Sequence, residues 1–130
     1  MVARWLIVIL YAGFIFWASS KPLPEFIAQI DCPDRIAHAL EYGLFSFLLF
    51  RACLVTPGRW LERHFYFVVI ALSVLYGGSD EIHQSFIPGR MMSVSDFLFD
   101  TFGSITTVVI MGYLLTRKKK ITAIIGNPPY

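Results

Sequence analysis

The stretch YGGSDEIHQSFIPGRMMSVSDFLFDTFG, which runs from Tyr76 to Gly103, places many polar side chains between two long apolar segments. These side chains reach into the ends of the apolar segments, and Asp100 lies at least one helical turn inside the second one. A charge in such a place costs free energy unless it has a partner or a role. We therefore expect this stretch to form part of a polar site inside the protein.

The composition assigns the chain to the membrane. Of its 130 residues, 56% are hydrophobic, against roughly 45–50% in an average soluble domain. The chain has four apolar runs, so the sequence predicts an all-α, single-domain bundle of four transmembrane helices. The predicted helices span about residues 3–20, 34–54, 64–86 and 94–116, and a cytoplasmic tail follows from 117 to 130.

The second and third runs are short for membrane helices. A spanning helix needs roughly 20 mainly apolar residues, and these two runs reach that length only if their polar ends are embedded as well. Lipid does not solvate such groups. The polar ends are therefore expected to face the protein interior.

The distribution of basic residues predicts the topology. Counted by the side that each connecting segment would occupy, eight Lys and Arg residues lie on one side and three on the other. The larger set is Arg4, Arg51, Arg59, Arg63, Arg117, Lys118, Lys119 and Lys120; the smaller is Lys21, Arg35 and Arg90. The positive-inside rule then puts both termini in the cytoplasm and the polar site on the outer face. The basic tract is too short to indicate a nucleic-acid partner.

A second polar group lies at the start of the second predicted helix. Counted from Asp34, the residues His38, Glu41 and Tyr42 fall at i+4, i+7 and i+8, on one helix face. Asp34 also suits a helix cap, so a capping role and a role in the polar site are both open for it. The polar face must look at other protein groups or at water.

The segment between the third and fourth helices carries turn and capping signals. Ile87-Pro88-Gly89-Arg90 is typical of a type II turn. Ser93 followed by Asp96 fits a capping pattern before an apolar run. Asp80 and Glu81 lie near the C-terminal end of a helix, where the helix dipole opposes negative charge. We therefore expect either that the helix continues beyond Asp80 and Glu81 or that nearby cations compensate their charge.

The two polar groups together carry a family resemblance. They are D-R-x-x-H-x-x-E-Y from Asp34 to Tyr42 and D-E-x-x-Q-x-x-x-P-G-R-x-x-S-x-x-D from Asp80 to Asp96. Together with Ser19-Ser20-x-Pro22, these motifs resemble the VanZ-like family of bacterial membrane proteins over about residues 5 to 115. The resemblance implies a multi-pass protein of the bacterial inner membrane and cell envelope, in a family whose founding member is linked to resistance to the antibiotic teicoplanin. One departure is Asp100, at a position where the family commonly has Asn.

The first functional hypothesis is a conical polar pocket on the outer face that binds or acts on an anionic envelope lipid or a lipid-linked cell-wall precursor. Arginines can hold phosphate by bidentate hydrogen bonds, and a buried carboxylate or imidazole can act as a general base. The catalytic candidates are Glu81, His38 and Asp100. The ligand-binding candidates are Asp34, Arg35, Glu41, Tyr42, Asp80, His83, Gln84, Arg90 and Asp96.

Two further hypotheses remain open. No dense metal-binding motif and no cofactor motif is visible, but a divalent metal held by Glu81, His38, Asp96 and Asp100 suits the ligand chemistry. In the other hypothesis, the acidic and basic side chains pair only to lock the helices together, or the protein is a subunit of a proton- or ion-coupled transporter. Four helices make a poor closed pathway, so transport would require an oligomer. An enzyme and a binding protein both fit the sequence.

Overall fold

The computed structural model describes the backbone of residues 1–22 and 31–126 and the side chains of residues 1–22 and 35–118. The described residues fold into four helices, with no strand among them. The helices are α1 (Val2–Ser19), α2 (Asp31–Cys53), α3 (Arg59–Gln84) and α4 (Val94–Gly126). The predicted all-α, four-helix class is confirmed.

Each helix is long and apolar enough to cross a membrane. The apolar spans are Val2–Ser19, Arg35–Cys53, Arg59–Gln84 and Val94–Lys118. Large apolar side chains cover the outside of the bundle, as with Leu10, Phe67 and Leu75, each of which is more than half exposed. Soluble proteins rarely expose such extensive apolar surface, so lipid is the solvent that suits it. The chain is a multi-pass membrane protein.

The helices pack so that their ends form two chemically different surfaces. At one end, which we call the polar end, the contacts join Ser19 to Asp80 and His38 to Asp100. At the other end, the basic end, Arg4 donates to the carbonyl oxygen of Arg51 at 2.9 Å. The basic residues from Arg59 to Arg63 and from Arg117 to Lys118 also belong to the basic end. Its location in the cytoplasm stays a prediction from the charge count.

The core between the two ends is apolar and aromatic. Its buried side chains include Val8, Ile15, Tyr42, Phe45, Leu49, Phe50, Val69 and Val108. Phe50 meets Phe65 edge to face with ring centroids 4.7 Å apart, a favoured geometry for aromatic pairs. The Ser46 hydroxyl donates to that of Ser73 at 2.7 Å within this core. This packing joins α2 to α3 and sets the frame for the polar end.

Small residues let α2 and α4 approach closely. A Cβ atom added at Gly103 would overlap the backbone of Ala39, and one added at Gly43 would lie 3.1 Å from Oγ1 of Thr107. Close backbone approach at small residues is a common way for membrane helices to associate, since lipid supplies no hydrophobic driving force between them. This seam brings the N-terminal halves of α2 and α4 together, and with them His38 and Asp100.

Two predicted helix boundaries differ from the structure. Helix α3 begins at Arg59 and not near residue 64, although His64 has non-helical angles (φ −110°, ψ 17°) that mark a kink there. Helix α4 continues to Gly126, so the predicted tail is helical from 117 to 126. The prediction ended this helix at the basic tract of residues 117–120, but lysine and arginine are good helix formers, so leaving the apolar span does not end the helix.

We expect Gly103→Ala to destabilise the bundle by about 1–3 kcal/mol, because the new methyl group meets backbone atoms that cannot rotate away. Gly13→Ala is the matched control, since a Cβ atom there would have nothing within 4 Å. The free energy of unfolding in mixed detergent micelles measures both changes. Equal stability of the two variants would contradict the close seam.

Candidate functional site at the polar end

The segment between α3 and α4 folds as its sequence predicts. Gly89 has a positive φ of 83°, and the Arg90 N–H donates to the carbonyl oxygen of Ile87 at 3.0 Å. With Pro88 at the second position, this confirms the type II turn. Glycine is required at its third position because other residues adopt positive φ at a cost. The turn places Arg90 beside the end of α3.

Ser93 links the start of α4 to the end of α3. Its hydroxyl oxygen accepts a hydrogen bond from the Asp96 N–H at 3.2 Å, which confirms the predicted cap. Its own N–H donates to Oε2 of Glu81 at 2.8 Å. A carboxylate of α3 therefore lies at the positive end of the α4 dipole. This contact explains how Glu81 is tolerated at the unfavourable end of its own helix.

Three buried ionisable groups from three helices meet next to the contact between Ser93 and Glu81. His38 Nδ1 lies 3.0 Å from Oδ1 of Asp100, and Glu81 completes a group whose potential ligand atoms lie within 4.8 Å of one another. Glu81 is 1% exposed, Asp100 2% and His38 7%. We call these three residues the acid–imidazole cluster. All three candidate catalytic residues thus lie together.

Gly77 provides the space for this cluster. A Cβ atom there would lie 3.2 Å from the Tyr42 ring and 3.5 Å from Oδ2 of Asp100. The paired glycines at 77 and 78 therefore act in close packing, as glycine often does in membrane helices. A Cβ atom at Gly77 would therefore crowd the Tyr42 ring and just touch Asp100.

A second hydrogen-bonded group surrounds Asp80. Its Oδ2 accepts from Gln84 Nε2 at 3.1 Å and lies 2.7 Å from the Ser19 hydroxyl. Gln84 Oε1 in turn accepts from Arg90 Nη1 at 3.1 Å, and Arg90 Nε donates to the carbonyl oxygen of Lys21 at 2.9 Å. We call this chain of contacts the Asp80 network. It joins the end of α1 to the end of α3 and to the turn.

A small cavity lies between the acid–imidazole cluster and the Asp80 network. Its volume is about 90 Å³. The walls come from the ends of α1, α2 and α3 and from the turn, and the lining residues are Ala18, Ser19, Ala37, His38, Glu41, Gln84 and Arg90. Four of the predicted site residues therefore line one cavity.

None of the other predicted residues whose side chains the structure describes lines the cavity. Tyr42 is fully buried one turn deeper in α2. His83 turns towards α1, where it stacks on Phe16 at 4.2 Å and lies 3.0 Å from the Ser20 hydroxyl. Arg35 and Asp96 are half-buried at the starts of α2 and α4. The side chain of Asp34 lies outside the described residues.

Several buried polar atoms at this end make no hydrogen bond within the described part of the chain. They are Tyr42 Oη, Asp80 Oδ1, Glu81 Oε1, Asp100 Oδ2 and Thr101 Oγ1. Buried polar atoms in proteins almost always have partners, so their concentration here separates this region from the satisfied core. Among them, Thr101 was missed by the sequence reasoning, which had no signal for it.

Ser19 and Ser20 were also missed as site residues. Ser19 contacts Asp80 and Ser20 contacts His83. The signal that could have found them is the serine pair itself, which ends an otherwise apolar helix directly before Pro22. Their hydroxyl groups connect α1 to the polar residues of α3.

Comparison with known protein families decides the family assignment. A model of the VanZ/LLP1 family matches residues 4–116. The chain belongs to the VanZ/LLP1 family. The match covers the apolar spans almost completely and includes every residue of the acid–imidazole cluster and the Asp80 network, so the VanZ-like resemblance is confirmed. No curated protein and no solved structure matches the chain.

We expect Ser19→Ala to lower the free energy of unfolding by about 1–3 kcal/mol, because buried Asp80 loses one of its two donors. Ser79→Ala is the control, since Ser79 is exposed and its hydroxyl donates only to the carbonyl oxygen of Tyr76. Denaturation in detergent micelles provides the measurement. A loss as large for Ser79→Ala would contradict the specific role of Ser19.

Proposed function

We propose that this VanZ/LLP1 family protein binds an anionic envelope lipid, or a lipid-linked cell-wall precursor, through the phosphate group of that molecule. The observation that carries the proposal is the cavity at the polar end, which has Arg90 in its wall. Arginine is the side chain best suited to bind phosphate by paired hydrogen bonds. The charge count supports an outward-facing polar end in the bacterial inner membrane, with the ligand in the outer leaflet.

The contacts of Arg90 support this role. Its Nε and Nη1 groups donate to Lys21 and Gln84, which fixes the plane of the guanidinium group. A guanidinium group has five N–H donors, so further donors are available for a ligand after these two bonds. An arginine held in this way loses little side-chain entropy when an anion binds.

The size of the cavity limits what enters it. A volume of about 90 Å³ holds a few water molecules, at roughly 30 Å³ each, or one small anionic group. We therefore propose that the phosphate enters the cavity, while the remainder of the ligand lies outside the protein.

The acidic residues impose a condition on anion binding. Glu41 lines the cavity, and Asp80 lies directly behind Ser19 and Gln84. Negative charges this close oppose a phosphate, since electrostatic repulsion grows where water is excluded. Arg90 offsets one of them, so a bound proton or cation must offset the others.

For a hydrolysis or transfer reaction at the bound phosphate, the geometry favours His38 as the general base. His38 lines the cavity, whereas Glu81 and Asp100 do not. The contact with Asp100 orients the imidazole ring, as a carboxylate does for a catalytic histidine.

Binding of a cell-wall precursor at this site would connect the protein to glycopeptide resistance.

Native mass spectrometry of the protein, gently extracted in detergent, tests the proposal. The wild-type chain should retain a phospholipid or precursor mass. Arg90→Ala should weaken retention, because a charge-assisted hydrogen bond contributes about 1.5–3 kcal/mol, or roughly 10- to 100-fold in Kd. Arg63→Ala removes an equally charged, exposed side chain at the basic end and should retain the ligand.

Arg90→Ala also removes two contacts within the protein, so its free energy of unfolding must be measured alongside. A folded variant that no longer binds supports the proposal. Unaltered retention by Arg90→Ala, or a bare protein mass for the wild type, contradicts it. Either contradictory result would favour a purely structural role for the charged residues.

A further inference from the structure

The acid–imidazole cluster of His38, Glu81 and Asp100 has the composition of a three-residue metal site. One nitrogen and two carboxylate oxygens, each from a different helix, lie within 4.8 Å of one another. Three protein ligands are typical of metal sites that keep a position open for water or substrate. His38 Nδ1 and Asp100 Oδ1 are 3.0 Å apart, so both groups are close enough to reach one ion once the imidazole nitrogen that binds it carries no proton.

Each carboxylate in the cluster uses one oxygen and leaves the other without a partner. Glu81 Oε2 accepts from the Ser93 N–H, and Asp100 Oδ1 pairs with His38. The remaining atoms, Glu81 Oε1 and Asp100 Oδ2, are buried and make no hydrogen bond with the described residues. Leaving such atoms unpaired in a protein interior is costly. A cation would satisfy both.

The hydrogen-bonded oxygen of Glu81, Oε2, also fits a metal site. Metal-binding carboxylates are commonly held in place by a hydrogen bond to the protein. Ser93, directly before α4, provides that bond, which fixes Glu81 relative to the helix that carries Asp100. Glu81 is thus oriented by a backbone N–H group, independently of any bound molecule.

We infer that His38, Glu81 and Asp100 bind one divalent transition-metal cation, of the Zn²⁺ or Mn²⁺ class. The imidazole ligand favours these ions over Ca²⁺ and Mg²⁺, which take oxygen ligands. Ligands about 2.1 Å from an ion lie roughly 3.0–3.5 Å apart, so the widest pair in the cluster closes by at most about 2 Å. Asp96, included in the set expected from sequence, is not a member of the cluster.

A metal at this position also changes the charge balance of the cavity. Two positive charges neutralise the two carboxylates of the cluster, and His38 is shared between the cluster and the cavity wall. The cation would therefore lie next to the place proposed for the phosphate. The inference does not rest on that proposal, since metal binding is measurable without any lipid.

The test is a titration of the full chain with the metal alone. Untagged protein in detergent is stripped with a chelator and titrated with Zn²⁺ and Mn²⁺ by calorimetry, and metal content is measured by mass spectrometry. The expected result is one equivalent per chain. Glu81→Gln and Asp100→Asn should each weaken binding by at least about tenfold.

Two controls show whether the effect is specific. Glu62→Gln changes an exposed acid at the basic end, and His64→Gln changes an exposed histidine there; both should bind as the wild type does. His38→Gln, the third cluster variant, should lose metal binding as Glu81→Gln and Asp100→Asn do. Equal affinity for wild type and all three cluster variants, or less than about one tenth of an equivalent bound by the wild type, overturns the inference.

A spectroscopic measurement covers the case in which the cluster variants do not fold. In the folded His64→Gln protein, bound Mn²⁺ should show magnetic coupling to an imidazole nitrogen by pulsed electron paramagnetic resonance. Bound Mn²⁺ with no nitrogen coupling would place the ion elsewhere and overturn the inference. Excess Mg²⁺ should not displace the bound ion.

Discussion

The inability of lipid to form hydrogen bonds is the constraint on which the polar end depends. Water would solvate any charge left unpaired in a soluble protein, but in a membrane span every polar atom must find its partner within the chain. The Asp80 network meets part of this demand by joining α1, α3 and the turn through Ser19, Gln84 and Arg90, while Asp80 Oδ1 makes no hydrogen bond with the described residues. The same contacts hold the helix ends together.

Among the described residues, the buried polar atoms without a partner lie at the polar end and beside it. Deeper in the core, the Ser46 hydroxyl donates to that of Ser73 across α2 and α3. At the polar end, Glu81 and Asp100 are each held by one oxygen and keep a second that is buried and unpaired. A cluster that served only to lock the helices would gain stability by pairing every atom. The unpaired oxygens are therefore what most clearly favours a bound ion or ligand over a purely structural role.

The electrostatics of the cavity and of the acid–imidazole cluster are coupled, because His38 belongs to both. A phosphate beside Arg90 is opposed by Glu41 and Asp80, and the cation proposed for His38, Glu81 and Asp100 would add positive charge next to the cavity without binding those two acids. The rigid frame beneath supports both, since the glycine seam between α2 and α4 holds His38 against Asp100. Any ligand binds at a site whose side chains are already oriented by backbone, turn and helix packing.

The sequence alone determined the membrane location, the four helices, the turn at Pro88 and Gly89, the cap at Ser93 and the family. Each of these follows from hydrophobicity, local backbone preference or motif spacing, which act over a few residues. Only the tertiary structure decided that Glu81 binds the start of α4, that His83 turns away to α1, and that Asp96 stays outside the cluster. Those outcomes depend on the rotation of one helix against another, which is set by contacts such as Gly103 against Ala39 between residues far apart in the chain.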